Sequence, residues 1–587
     1  MRKLFTASAV VAMLALLALP RHSFAQSGTM VVYASQGPLD TIIGADTTSS
    51  GLQNHSVYKF VSTDTTYIFD ATMTMKSAVS IVGVPADNGQ LPTIQPDVLS
   101  DGSIPGTFFA FEGMGTTINV SNIYFLGLSI QNTVGYGVAF SILADNITIN
   151  ANNLVFDDIT GDAFSYQSNG DNLFINNCTM RNSINSVSDY YEGEFIRDQN
   201  AAGSWQTDSI VIRNCTLNCV AAYVAAVTTP IMKYFECSHC DIINTAKNPF
   251  FIDRAVNAKI NNNIFYNAYA IGTNYTEYSG GWDSFRAGAL PSLIDFVPLD
   301  SASAAMLLGH ARTSASDSLA AEAMRNIEVK NNDWYYSPSL LAFYKSWNDT
   351  AHAAVGFDSV YTPVFMNPQN VAMFDNKTVW PGFVESGNVN IDPGFGPSID
   401  AALTAGANTA DGFEGYFTAV RGGTGTTQTY GCQITVVPQP IPGNYMPSWP
   451  LPEAGDLKYS NASLMTGATD GHQVGSLYWF YGVGDSVYTA VQALPPSVPA
   501  QFTLSNNYPN PFNPSTTISF SVAKNGPASL KIYNVLGQLV LTVFQGNATA
   551  HQNYLYNVGM DKFSSGVYFY TLQQGSNILT KRMLLLK

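Results

Sequence analysis

Charge is what this sequence has least of. Only 12% of its 587 residues are Asp, Glu, Lys or Arg, against a usual share of about 25%. That scarcity excludes an architecture built from solvent-facing helices, whose outer surfaces need Glu, Lys and Arg. Basic residues are the scarcer sign, 26 against 42 acidic, for a net charge of −16. Nucleic acids and anionic membranes demand a basic face, so neither is expected as a partner. An anionic polymer meets the same repulsion unless cations bridge it. Cysteine is scarce too. Six residues in a chain of this length make no disulfide scaffold. Long apolar runs are confined to the N-terminus, and no later stretch reaches the roughly 18–20 apolar residues of a spanning helix.

The one long apolar run reads as an address. Arg2 and Lys3 precede "LFTASAVVAMLALLALP", and Ser23-Phe24-Ala25 forms a small-x-small cleavage site. Residues 1–25 are therefore expected to be an export signal. Abundant residues point to sheet: aromatics reach 12%, glycine 47 residues, and Ser, Thr and Asn fill most polar positions. Such a profile suits short strands and many turns.

One phrase recurs. "LFINNCTMRN" at 173–182 returns as "IVIRNCTLNC" at 210–219. Laid without gaps, six copies begin at Ile149, Ile175, Ile212, Phe235, Ile260 and Val329, at intervals of 26, 37, 23, 25 and 69. The first position is always apolar and the sixth apolar or Cys. The third is Asn in Asn177, Asn214, Asn262 and Asn331, with Ala151 and Cys237 departing. A period in the twenties, with alternating apolar residues and an Asn corner, fits a coiled parallel sheet that adds one strand per face per turn. Asn tolerates the left-handed conformation of a corner. Cys178, Cys215, Cys219, Cys237 and Cys240 then read as small core fillers rather than as a zinc set. A second phrase, "GVAFSI", "GDAFSY", "EGEFIR", "VAAYVA" and "NPFFID", falls once per turn.

With these repeats, residues 26–440 resemble a right-handed parallel β-helix of the pectate-lyase-like type. Residues 266–326 interrupt the coil, and "SLAAEAMRNI" from Ser318 is expected to be a short helix with Glu322 near its start. The irregular aromatic segment 441–486 is expected to close the helix end, because open sheet edges invite pairing. A Pro-rich linker occupies 487–501. In 502–587 the motifs "NYPNPFNPSTTI", "LKIYNVLGQLV", "SSGVYFYTL" and "TKRMLLLK" resemble the type IX secretion C-terminal sorting domain, type A, of Bacteroidota and related bacteria. The resemblance implies a small Ig-like β-sandwich that engages the type IX machinery and is removed afterwards. The rest of the protein would be released or held at the outer cell surface. The fold class expected is all-β throughout.

Charged residues cluster where they occur: Asp157, Asp158 and Asp162 in "FDDITGD", Glu194, Arg197 and Asp198 in "EGEFIRD", and Asp253 and Arg254 in "FFIDR". Aligning the second phrase sets Arg197-Asp198 and Asp253-Arg254 at matching positions two turns apart, over Ala225-Ala226. At about 4.8 Å per turn the pairs stand roughly 10 Å apart, room for a sugar ring. Arg197, Asp198, Asp253 and Arg254 are thus the candidate catalytic residues. A lyase needs a cation, Ca²⁺ being the candidate cofactor, and an Arg or Lys base; a hydrolase needs two carboxylates. Mutual pairing of Arg and Asp on a solvated face is the structural alternative. Tyr275, Tyr278, Trp282 and Phe285 are candidate sugar-stacking residues. The partner expected is polysaccharide, engaged by simple binding or by a lyase; a structural or adhesive surface protein is the third class.

Overall fold

A computed structural model describes residues 28–482 and 502–586, apart from short stretches of which 132–136, 184–192, 199–204, 228–230, 253, 273–289, 356–359, 405–414, 419–435 and 439–444 are the main ones. The expected export signal and linker, Cys432, Asp253 and the aromatic quartet Tyr275, Tyr278, Trp282 and Phe285 lie outside the described residues.

Residues 29–386 form a parallel coil with three strands per turn. One turn shows the plan: Asn172–Asn176 on a first face, Thr179–Arg181 on a second, and Ile196–Asp198 on a third sheet. Each strand pairs in parallel with its counterpart one turn away, so the inward column Ala151, Ile175, Ile212, Cys237, Ile260 and Val329 runs straight up the first face. Inward residues of all three walls merge into one core in which Phe125, Phe140, Phe156, Phe164 and Phe195 stack in sequence. The five described cysteines are buried and unbridged, and Cys178 and Cys215 meet on adjacent turns.

This register corrects the gapless alignment. Ala151 and Cys237, not Ile149 and Phe235, stand beside Ile175 and Ile212. The slip is two residues, which leaves the inward and outward sets unchanged, so hydrophobic pattern cannot detect it. Backbone conformation decides. In the true register the third position reads Asn153, Asn177, Asn214, His239, Asn262 and Asn331, and every one has φ between 51° and 60°. A second left-handed corner follows on each turn at Asp158, Asn182, Cys219, Asn244 and Asn267. Corner amides bond from turn to turn, as Asn153 Nδ2 to Asn122 Oδ1 at 2.8 Å and Asn267 Nδ2 to Asn244 Oδ1 at 3.0 Å show.

Helices cover both ends of the coil. Leu39 and Ile43 of the helix Leu39–Ala45 enter the core at its start; Leu340, Tyr344, Met373, Phe374 and Leu403, from Pro338–Val355, Pro368–Asp375 and Pro397–Thr404, enter it at the other end. In the interruption the expected short helix runs Ala315–Glu322. Asp317 completes the capping box on Ser314, so Glu322 lies at the end of the helix, where it holds Arg325 at 3.1 Å and Trp380 Nε1 at 2.7 Å.

The aromatic segment expected at the end of the coil lies along its flank. Leu451, Leu457, Tyr459, Leu464, Val474 and Trp479 cover Leu126, Val155, Ile243 and Ile264 on the outer side of the second face. The corner residues hold this strap across several turns. Asn331 Nδ2 donates to Gly467 O (2.6 Å), Asn262 Oδ1 accepts from Thr469 N (2.8 Å), His239 meets Asp470 (3.1 Å), and Asn214 Oδ1 accepts from Tyr478 N (2.9 Å).

Residues 503–585 form two antiparallel sheets of three and four strands around a separate core that includes Ile518, Phe520, Leu530, Ile532, Tyr570 and Met583.

Candidate functional site

The third sheet carries the candidate site. Its strands alternate, so one set of side chains (Phe140, Phe164, Ile196, Ala225, Phe250) fills the core and the other faces out. The outward column reads Thr74, Ala110, Ser141, Ser165, Arg197, Ala226 and Phe251. Apart from Arg197 and Phe251 the column is small, with Ala110, Ser165 and Ala226 buried, and Arg197 is its one charged side chain.

Arg197 sits beside buried acid. The residues two before each strand start stack from turn to turn as Asp162, Glu194, Tyr223 and Asn248, because Phe164, Ile196, Ala225 and Phe250 are in register. Asp162 and Glu194 are fully buried on adjacent turns. Burial, then the charge of Asp162, push the Glu194 carboxyl well above its usual range, against the pull of Arg197 and Lys247. Glu194 is thereby biased toward its neutral form beside Asp162. Arg197 Nη1 lies 3.9 Å from Glu194, and the Lys247 ammonium lies 4.9 Å from the centre of the Tyr223 ring, which packs on Phe251. Only Arg197 of this group reaches the surface appreciably, at 22% exposure.

The three described members of the predicted catalytic set, Arg197, Asp198 and Arg254, are not brought together. Asp198 follows Arg197 on the strand and so faces the opposite way, buried in register with Tyr166, whose hydroxyl its charge helps to push up after burial itself. Phe251 occupies the Arg197 column two turns on, where matching the two phrases put Asp253. Arg254 lies beyond the strand end and pairs with Asp300 at 3.3 Å on an exposed part of the interruption. The misalignment has the same cause as on the first face: matching "EGEFIR" to "NPFFID" by their phenylalanines equates Phe195 with Phe251, whereas Ile196 stands level with Phe250. Lys247 and Tyr223 escaped the sequence reading. Their signal was the position before the strand, which only the correct register aligns.

The acidic run Asp157, Asp158 and Asp162 splits between two sites. Asp157 lies on the second face, where Tyr124 donates to it, Asn182 Nδ2 donates at 2.7 Å and Arg181 lies 3.7 Å away; Arg181 also meets Glu453 of the strap at 3.0 Å. Burial and the neighbouring Asp157 push the Asp158 carboxyl well up. This cluster is enclosed and anchors the strap.

A cleft of about 670 Å³ opens near the last turns, lined by Trp334, Tyr335, Tyr336, Pro363 and Val364. Trp334 stacks on Phe365 at 6.2 Å and also lines the cleft. Among the described residues no group of three or more His, Cys, Asp or Glu side chains is arranged to hold a metal ion. No described helix is long and apolar enough to cross a membrane.

A coil with its own core, a strap and a separate antiparallel tail defines an export cargo: a body joined to an address. Residues 506–586 match the family of secretion system C-terminal sorting domains. The protein is therefore exported through the type IX machinery, which that tail engages, to a secreted or cell-surface-attached state. No curated protein matches the chain.

Proposed function

We propose that the exported body engages polysaccharide, with an acidic sugar lying over the third sheet and its carboxylate meeting Arg197. One observation carries this reading: a guanidinium stands in an otherwise small, uncharged column, Ser141, Ser165, Arg197 and Ala226, on a protein whose net charge of −16 would otherwise repel such a ligand. A flat sheet with turns about 4.8 Å apart offers repeating contacts to a repeating polymer. The aromatic cleft at Trp334–Tyr336 supplies a second surface suited to sugar C–H faces.

Turnover is the second reading, favoured by the buried carboxyl groups of Asp162 and Glu194 beside Arg197. In a lyase of the pectate-lyase-like type an Arg abstracts the proton next to the uronate carboxylate; in a hydrolase the carboxyl pair acts across the glycosidic bond. The test is a panel of acidic and neutral polysaccharides, with and without Ca²⁺. Binding is followed by calorimetry, unsaturated product by absorbance near ~235 nm, and reducing ends in parallel. Binding to an acidic polymer that Arg197→Gln weakens at least ~tenfold is the expected result. Unsaturated product would establish the lyase, and reducing ends alone the hydrolase. Silence in every channel would leave a structural or adhesive surface protein.

A further inference from the structure

The sorting domain presents large aliphatic side chains where a hairpin turn ordinarily carries polar ones. In "YNVLGQLV" (533–540) Val535 is 65% exposed and Leu536 79%, the most exposed large hydrophobic among the described residues. The turn that carries them is tightly held. Asn534 Oδ1 accepts from both Leu536 N and Gln538 N at 3.0 Å, Asn534 Nδ2 donates to Gln538 Oε1 at 2.8 Å, and Gly537 takes φ of +76°. Two apolar side chains on a rigid loop are arranged for insertion, since a preorganised element loses little entropy on binding.

The knob continues into a row on the sheet behind it. Leu539 and Phe569 both stand opposite Tyr533, and cross-strand partners share a face. Leu539, at 54%, and Phe569, at 36%, are exposed on that face, and Arg582 follows beyond Phe569. The turn from Asn534 to Leu539 carries no charge. A lipid surface is met by apolar residues flanked with Lys and Arg, which the turn does not supply. A protein pocket suits a short, rigid, neutral knob.

We propose that Val535 and Leu536, with the Leu539–Tyr533–Phe569 row, form the docking surface by which the tail is seated in an apolar pocket on a protein of the export machinery. The identity of the partner follows from the family match, which spans these residues and gives the tail its role as an address. The proposal rests on that match and is independent of polysaccharide engagement.

The full chain, produced in a bacterium that carries the type IX machinery, gives the test. Leu536→Asp should cut the protein reaching the surface and medium at least ~tenfold, with full-length precursor accumulating in the envelope, while Leu536→Met exports as the parent does. Ile578→Asp, an equally simple change at another exposed apolar residue, should export normally. Export of Leu536→Asp at the parental level overturns the proposal, as does an equal loss for Ile578→Asp. Melting of each purified full-length variant checks folding; if Leu536→Asp melts lower, Leu536→Gln takes its place under the same criteria. Two further results overturn it in favour of other occupants: a dimer in analytical ultracentrifugation that Leu536→Asp dissolves, or Leu536-dependent flotation with phosphatidylethanolamine–phosphatidylglycerol vesicles.

Discussion

Arg181 and Arg197 stand on successive strands of one turn of the coil, and each lies beside a pair of buried acidic side chains. Their surroundings differ in one respect. Arg181 is 2% exposed, locked between Asp157 on the coil and Glu453 on the strap, whereas Arg197 is 22% exposed and holds Glu194 only at 3.9 Å. On the second face an added segment covers the cation and uses its donors. On the third sheet the cation stands on a floor of small residues. The same repeat thus yields an enclosed arginine on one wall and a partly solvated one on another, according to what lies outside the coil.

Removing the enclosed arginine tests that contrast most severely. Arg181→Met leaves Asp157 and Glu453 buried without their cation, and we expect a loss of about 3–5 kcal/mol, read as a lower unfolding midpoint in denaturant. Asn262→Ala comes next. Its amide takes Thr469 N and Thr469 Oγ1 and meets His239, at a φ of 60°; the change should cost about 2–3 kcal/mol through lost bonds and left-handed strain.

Asp241 sharpens the comparison by pH. It accepts from Ser476 N on the strap, and burial pushes its carboxyl up to about 7. The folded state therefore keeps a proton that the unfolded chain releases near pH ~4, so this group's stabilisation is full below about pH 4 and is lost as the pH rises through about 7. Asn keeps the acceptor and cannot ionise. Asp241→Asn should match the parent at pH 4 and exceed it by about 2 kcal/mol at pH 8, in paired melts. The smallest effect belongs to the open wall. Arg197→Gln should change stability by less than about 1 kcal/mol, because the guanidinium is partly solvated and burial pushes the Glu194 carboxyl toward its neutral form. A loss as large as that of Arg181→Met would show that the third sheet, too, is built around its cation.

Much of this architecture is written in local pattern. Asn177, Asn214, Asn262 and Asn331 mark corners because few other residues accept their conformation, and the buried cysteines follow from small residues spaced once per turn. Register was less legible. A two-residue slip preserves which side chains face in, so Ile149 and Phe195 were matched to the wrong partners, and the Arg254 column went with them. The outward position of Arg197 is legible from alternation, because it lies on the strand itself. Asp162, Glu194, Tyr223 and Lys247 come together through the coil, across sequence separations that no local window spans. The position of the strap was not legible, since its contacts from Asn214 to Tyr478 join residues 264 apart.

That separation has a consequence for the birth of the protein. Ribosomes finish the coil well before they reach Leu451, so at about 5–20 residues per second a nascent chain spends several seconds with turns complete and the second face bare. Leu126 and Val155, and further along Ile243 and Ile264, are then two apolar patches in water, separated by Arg181, Asn218, Thr179 and Thr216. A chain cut short before the strap would keep its turns and lose its solubility, and a holding chaperone would find its natural grip there.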